Sequence, residues 1–187
     1  MVKKHDLKEV VFNMIPENST LYGFIDAARD LELYQIVHYI LSLDADTLFQ
    51  GENAEFTNHV APHLFPIPPD SEFFDHWSPR RGTSPGILLI SSVESEELLD
   101  HLRQIFHVTD ENDEEYLFRY YDPRVLRPYL PTCSHEQLRE FFGPIQAILV
   151  ESENPDELTL YTVKNKTLSK DLIQLKPYEQ KEHTHTH

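Results

Sequence analysis

The sequence predicts an α+β fold: a small mixed sheet with strand–helix units in its N-terminal part, and a hairpin with short helices in its C-terminal part. Three observations predict it. Two unbroken apolar runs, "TLYGFIDA" (20–27) and "GILLIS" (86–91), each lead into a stretch of helical periodicity. Apolar runs flank polar tips at 107–122 and again at 145–164, the pattern of a hairpin. With 40% apolar and 11% aromatic residues over 187 positions, one sizeable core is within reach.

The elements follow in order. Residues 5–14 form a short amphipathic helix that ends before Pro16. After the first strand, Leu33, Ile36, Val37, Ile40 and Leu41 recur at the spacing of one helical face, with Asp26 or Asp30 near its start. Residues 43–70 are loop-rich; "HLFPI" within them is a short strand that Pro66 assigns to an edge. "SEFFDHW" is a short helix, broken by "SPRRGTSPG". After the second strand, Leu98, Leu102, Ile105 and Phe106 share a helical face, and Ser91 with Glu94 has capping-box spacing, Ser92 being an alternative cap. "HVTDENDEEYLFRYYD" reads as a hairpin with its tip at 110–113. "SHEQLREFFG" (134–143) is a helix with a Ser134–Gln137 capping box and Gly143 as its stop. "IQAILVE" and "LTLYTVK" make a second hairpin, and the polar stretch that ends in "EHTHTH" is expected to fray. The expected division is therefore one α/β domain over 1–145. A C-terminal hairpin over 146–164 belongs to it or forms a small lobe, and 165–187 is a flexible polar tail.

Charge and composition exclude several functions. The net charge is −16, from 32 acidic and 16 basic residues, so phosphate contacts would meet a repulsive field and a nucleic-acid role is disfavoured. No run approaches the ~18 apolar residues of a membrane helix, and the N-terminal stretch mixes Asp6, Lys8, Glu9 and Asn13 into its apolar part, unlike a secretory signal. A single cysteine, Cys133, excludes an internal disulfide and suits a reducing compartment. A cytoplasmic location is expected.

The densest chemistry is "YLFRYYDPRVL" (116–126). Strand alternation would put Tyr116, Phe118 and Tyr120 on one face and Leu117, Arg119 and Tyr121 on the other. Asp122 before Pro123 is the favoured order for a helix start, with Asp122 as N-cap and proline in the first turn. Arg119 or Arg124 would pair with its carboxylate. An enzyme would use Asp122 as general base with the arginines as anion clamps. It would need a second acid or a histidine at a diagnostic spacing, and the sequence offers neither, so the stretch reads as a structural hinge.

No catalytic residue, cofactor or metal is predicted elsewhere. His59 and His63 lie four apart but enclose Pro62 and lack the glutamate of a helical zinc motif. His101 and His107 do not share a helical face, and His183, His185 and His187 alternate at a terminus. Cys133 in "TCSHEQ" lies near His135 and a helix start, which would favour the thiolate; adjacency in sequence is not a triad, and an inert cysteine is the simpler reading. The five glycines stand singly, so no phosphate-cradling loop forms.

The order of short motifs says more than any one of them. "LYGFIDAARD", "TLFQG", "APHLFPI", "GILLISS", "HLRQIF", "LFRYYDPRVL" and "FFGPI" occur in succession over 21–145. That series resembles the type VI secretion effector chaperone/adaptor family, long labelled only as a domain of unknown function. The pattern maps onto Asp26, Pro62, Leu64, Leu102, Arg119, Asp122, Pro123, Leu126, Gly143 and Pro144, with Tyr120, Tyr121 and Arg124 inside its most specific piece, "FRYYDPRVL". Where the family often has tyrosine after Ala-Pro, this chain has His63. The resemblance implies a non-enzymatic cytoplasmic protein of Gram-negative bacteria. It would bind a toxic effector, help load it onto the spike protein of the secretion apparatus, and use these residues for fold or partner binding. The alternative is an acidic immunity protein that neutralises a toxin by covering it.

Overall fold

The computed structural model describes residues 4–50, 57–109 and 113–178. A seven-stranded sheet runs through the molecule in the order β2-β3-β1-β4-β7-β8-β9. Its strands are β1 (Thr20–Asp26), β2 (Asp46–Thr47), β3 (Pro62–Pro66), β4 (Gly86–Ser91), β7 (Ile145–Glu151), β8 (Glu157–Lys164) and β9 (Thr167–Gln174). A separate two-stranded ribbon joins β5 (His107–Thr109) to β6 (Glu115–Leu117). The helices are α1 (Leu7–Phe12), α2 (Leu31–Gln35), α3 (Phe73–Trp77), α4 (Ser95–Gln104), α5 (Pro123–Tyr129) and α6 (His135–Phe142).

The fold is α+β, as the sequence predicts, but every pairing between the named strands is antiparallel, so the sheet is not mixed. The unbroken apolar runs report burial on both faces rather than parallel strands. In β1, Leu21 and Ile25 face α1, α2 and α3, while Tyr22 and Phe24 face α4, α5 and α6. In β4, Leu88 and Ile90 take the first face and Ile87 and Leu89 the second. Two cores of opposite parity thus sandwich one sheet.

Three local readings change. The helix after β1 has Asp30 as its N-cap, accepting from the Leu33 amide, but from Ile36 to Ile40 it is a π-helix. The Leu41 amide bonds to the Ile36 carbonyl at 2.8 Å, one residue further back than in an α-helix. That extra residue rotates the face, so Leu33, Ile36 and Val37 are buried while Ile40 is 66% exposed. Glu94, not Ser91, is the N-cap of α4, and it makes no side-chain cap bond. The Ser91 hydroxyl instead donates to the Pro144 carbonyl. Pro66 lies in a strand with one short outer neighbour: β2 covers β3 only at His63 and Leu64, so the missing N–H costs no ladder bond there.

Within the stretch expected to be flexible from 165 onward, Thr167–Gln174 form β9, paired with β8 along its whole length from Glu157↔Gln174 to Lys164↔Thr167; residues 179–187 lie outside the described residues. Asn165 and Lys166 both have positive φ (52° and 65°), the requirement of a two-residue hairpin turn whose twist matches the sheet. Polar composition misled here because β9 is the sheet's outer strand, with most of its side chains exposed or half-buried. The strands β7, β8 and β9 continue the sheet that holds β1 and β4, joined by the β4–β7 pairing. The proposed hairpin tip at 110–113 and the histidines from 183 onward fall largely or wholly outside the described residues.

Candidate functional site

At the C-terminal end of β1, Asp26 is 2% exposed and already bound on both oxygens. One accepts from the Ala28 amide (3.1 Å) and shapes the turn into α2; the other accepts from Arg119 Nη2 at 2.7 Å. Arg119 arrives from a different part of the chain, just after β6, and its guanidinium lies over the Tyr121 ring, 5.7 Å from the centroid. Tyr121 in turn meets Phe24 of β1 edge to face at 5.7 Å.

The strand alternation read for this stretch does not hold. β6 ends at Leu117, and a turn follows in which the Asp122 amide bonds to the Arg119 carbonyl. Tyr120 and Tyr121 are therefore both buried, at 1% and 5% exposure, rather than on opposite faces. Tyr120 donates its hydroxyl to the Leu102 carbonyl at 2.7 Å, and burial drives its ionisation well above the ordinary tyrosine range.

Asp122 performs the capping role that its order before Pro123 predicts: its Oδ1 accepts from the Arg124 amide at 2.9 Å. Its carboxylate also receives the Arg124 guanidinium through Nε and Nη2. Burial alone would raise this carboxyl. The Arg124 hydrogen bonds and the charges of Arg124 and Arg29 outweigh burial and hold the group below the usual carboxylate range. Both carboxylates are thus buried and engaged, while the Arg119 and Arg124 side chains are 52% and 51% exposed. The arrangement braces the end of β1, the turn at 118–122 and the start of α5, and presents two half-exposed guanidinium faces.

The motif residues do not form one cluster. Pro62 lies opposite Asp26 in the β1–β3 pairing, and Leu64, Leu102 and Leu126 are core. Gly143 and Pro144 lie at the other end of the sheet, near Ser91, which pairs with Thr20 at the start of β1. The length of β1 separates the two ends, on the order of 20 Å at ~3.4 Å per residue. Gly143 is the C-cap of α6 with φ +46°, and a Cβ there would fall 2.3 Å from the His101 ring. His101 in turn hydrogen-bonds the Phe141 carbonyl, and Cys133 is half-buried with its thiol against the Tyr129 carbonyl; burial raises that thiol and disfavours the thiolate. Among the described residues, no group of three or more His, Cys, Asp or Glu side chains could hold a metal ion. Among them, too, no helix is long and apolar enough to cross a membrane.

A family model described as a domain of unknown function, DUF4123, matches residues 21–140. The chain belongs to the DUF4123 family. No curated protein and no solved structure matches it. The matched segment of this DUF4123 chain runs from β1 into α6 and so contains both arginine–carboxylate pairs. Strands β7, β8 and β9 lie beyond it, although the sheet needs them.

Glu151 escaped sequence reasoning, which reads His63 only as half of an unsupported zinc pair and as the place of a family tyrosine. Glu151, 5% exposed at the end of β7, accepts from the Ser84 amide at 2.9 Å and is pushed up by burial. Strand parity could have found it, since Ala147, Leu149 and Glu151 share a face. His63 is 1% exposed on β3, with His38 of the π-helix 3.4 Å away and Tyr34 against both rings. No spacing signal links residues 38 and 63.

Proposed function

We propose that this DUF4123 protein is a type VI secretion adaptor that binds a cognate toxic effector and helps load it onto the spike protein, without catalysis. The observation that carries the reading is the state of the motif that most closely resembles the adaptor family. Asp26 and Asp122 are both buried, and each is held by an arginine. A general base needs a proton-accepting lone pair facing substrate at a matched pKa. Here the Asp122 carboxyl is held low and turned inward, and its partner arginine faces outward. Such a motif serves as a brace behind a binding surface. The acidic charge of −16 also suits an immunity protein that neutralises a toxin by covering it, the second reading.

Affinity capture of the full chain from its native host, with mass spectrometry of the partners, tests this. An adaptor brings down a toxin-like protein together with a spike component, and the bound toxin stays active. A toxin recovered alone and inactive would establish the immunity reading instead. Turnover abolished by Asp122→Asn in a variant that keeps its fold would defeat both.

A further inference from the structure

The β5–β6 ribbon lies outside the seven-stranded sheet. Two-stranded ribbons are marginal alone in water, and this one extends its ladder at the root by a bond from the Phe118 amide to the Phe106 carbonyl, 2.8 Å. Its register pairs Val108 with Tyr116 and His107 with Leu117, so apolar side chains stand on both of its faces. Val108 is 40% exposed and Leu117 56%.

A groove opens at the ribbon's foot on each side. The first, of about 530 Å³, includes Val108, Ile105, Phe118, Tyr129 and Phe141 in its lining. The rings of Phe118 and Tyr129 meet edge to face at 4.5 Å, so the aromatic part is pre-packed. The second, of about 560 Å³, has Leu117 beside Phe49 and Phe106. Half-exposed apolar groups flanked by aromatic-lined grooves form the apolar centre of a protein-binding surface.

The surrounding charge specifies the occupant. The first groove shares His101 and Gln104 with a depression lined by Glu94, Glu96, Glu97 and Asp100, and Glu140 forms part of its own wall. Just before β6, Asp113 and Glu114 add two exposed carboxylates. The nearby cation Arg103 is tied to Asp100 at 3.1 Å. We propose that the ribbon and its grooves dock a basic segment of the effector, with large apolar side chains filling the grooves and lysines or arginines meeting the acidic rim. The inference rests on the binding reading above and names the surface and the chemistry of the partner segment.

The probe is the purified effector recovered by the capture experiment, titrated calorimetrically against the full chain. Val108→Asp and Leu117→Asp should each weaken binding roughly tenfold or more, as loss of a central apolar anchor does. Both side chains are exposed, so the fold should survive, which circular dichroism checks. Leu172→Asp, on β9 and 58% exposed in the wild type, should bind as the wild type does. Raising salt from about 50 to about 500 mM should weaken the wild-type complex several-fold. Ribbon variants that bind like the wild type would overturn this surface and leave the adaptor reading standing. Salt-insensitive binding, or an equal loss in Leu172→Asp, would overturn it as well. An effector recovered but unable to bind the purified wild-type chain directly would remove the reading and the surface together.

Discussion

The buried His63 makes the stability of this fold acid-sensitive, and the structure gives the size of the effect. Its Nε2 lies 2.7 Å from the Asn58 carbonyl and its Nδ1 3.4 Å from His38 Nε2. The Asn58 carbonyl can only accept, so Nε2 carries the proton, and Nδ1 of the neutral ring is left to accept from His38. A proton added at Nδ1 would be buried, would lose that acceptor, and would face a second imidazole. Burial is the largest cause, the Asn58 hydrogen bond opposes it, and His38 adds to it; together they lower His63 from 6.5 to about 4. At ~1.4 kcal/mol for each tenfold change in proton affinity, that difference is roughly 3 kcal/mol.

The sign follows from linkage. Above about pH 6.5 neither state binds the proton and the fold keeps its full stability; between about 6.5 and 4 only the unfolded chain binds it, and stability falls as pH falls. By about pH 5 the loss from this one group is roughly 2 kcal/mol, a large part of a typical ~5–15 kcal/mol total. His38, lowered by burial, acts in the same direction. Glu151, raised by burial, acts in the opposite one, since the folded state then holds the extra proton. A comparison with His63→Gln isolates the histidine: glutamine keeps an amide N–H for the Asn58 carbonyl and cannot titrate. Urea unfolding of both proteins at about pH 7 and about pH 5 should show the wild type losing roughly 2 kcal/mol more than the variant over that interval. Equal losses in the two proteins would refute the reasoning, whatever their stabilities at neutral pH.

Two further outcomes follow from the local geometry. Asp122→Ala removes the N-cap of α5 and leaves Arg124 without its carboxylate, and should cost about 1–2 kcal/mol in urea unfolding; Asp122→Asn, which keeps a capping oxygen, should cost less. Lys166→Gly relieves a non-glycine residue at φ 65° in the β8–β9 turn and should stabilise the protein by about 1 kcal/mol, read as a thermal midpoint raised by roughly 2–4 °C.

The features that were legible in the sequence are those whose causes lie within a few residues of each other. The Asp122–Pro123 start of α5, the Ser134–Gln137 capping box and the Gly143 stop are each a donor, an acceptor or a φ requirement satisfied locally, and each stands where it was expected. Strands β1 and β4 were visible because burial on both faces leaves mostly apolar residues, Asp26 at the end of β1 being the one charged side chain. That same burial removed the alternation that would have marked their direction, and a sheet whose named strands all pair antiparallel read as a mixed one. Ile40 went astray through one extra residue in the helix, which periodicity at 3.6 cannot register. The site divided along the same line. That Asp122 caps a helix could be read from two adjacent letters, while the partner of Asp26 is Arg119, which lies 93 residues on and is brought to it by the turn at 118–122. The motif "FRYYDPR" therefore holds together by meeting β1: Arg119 binds its last residue, and Tyr121 packs on Phe24 two positions earlier. A residue set dispersed along the chain, with its acids inward and its arginines outward, is tied to the fold first. A partner of the kind proposed above would meet the surfaces that such a brace holds in place.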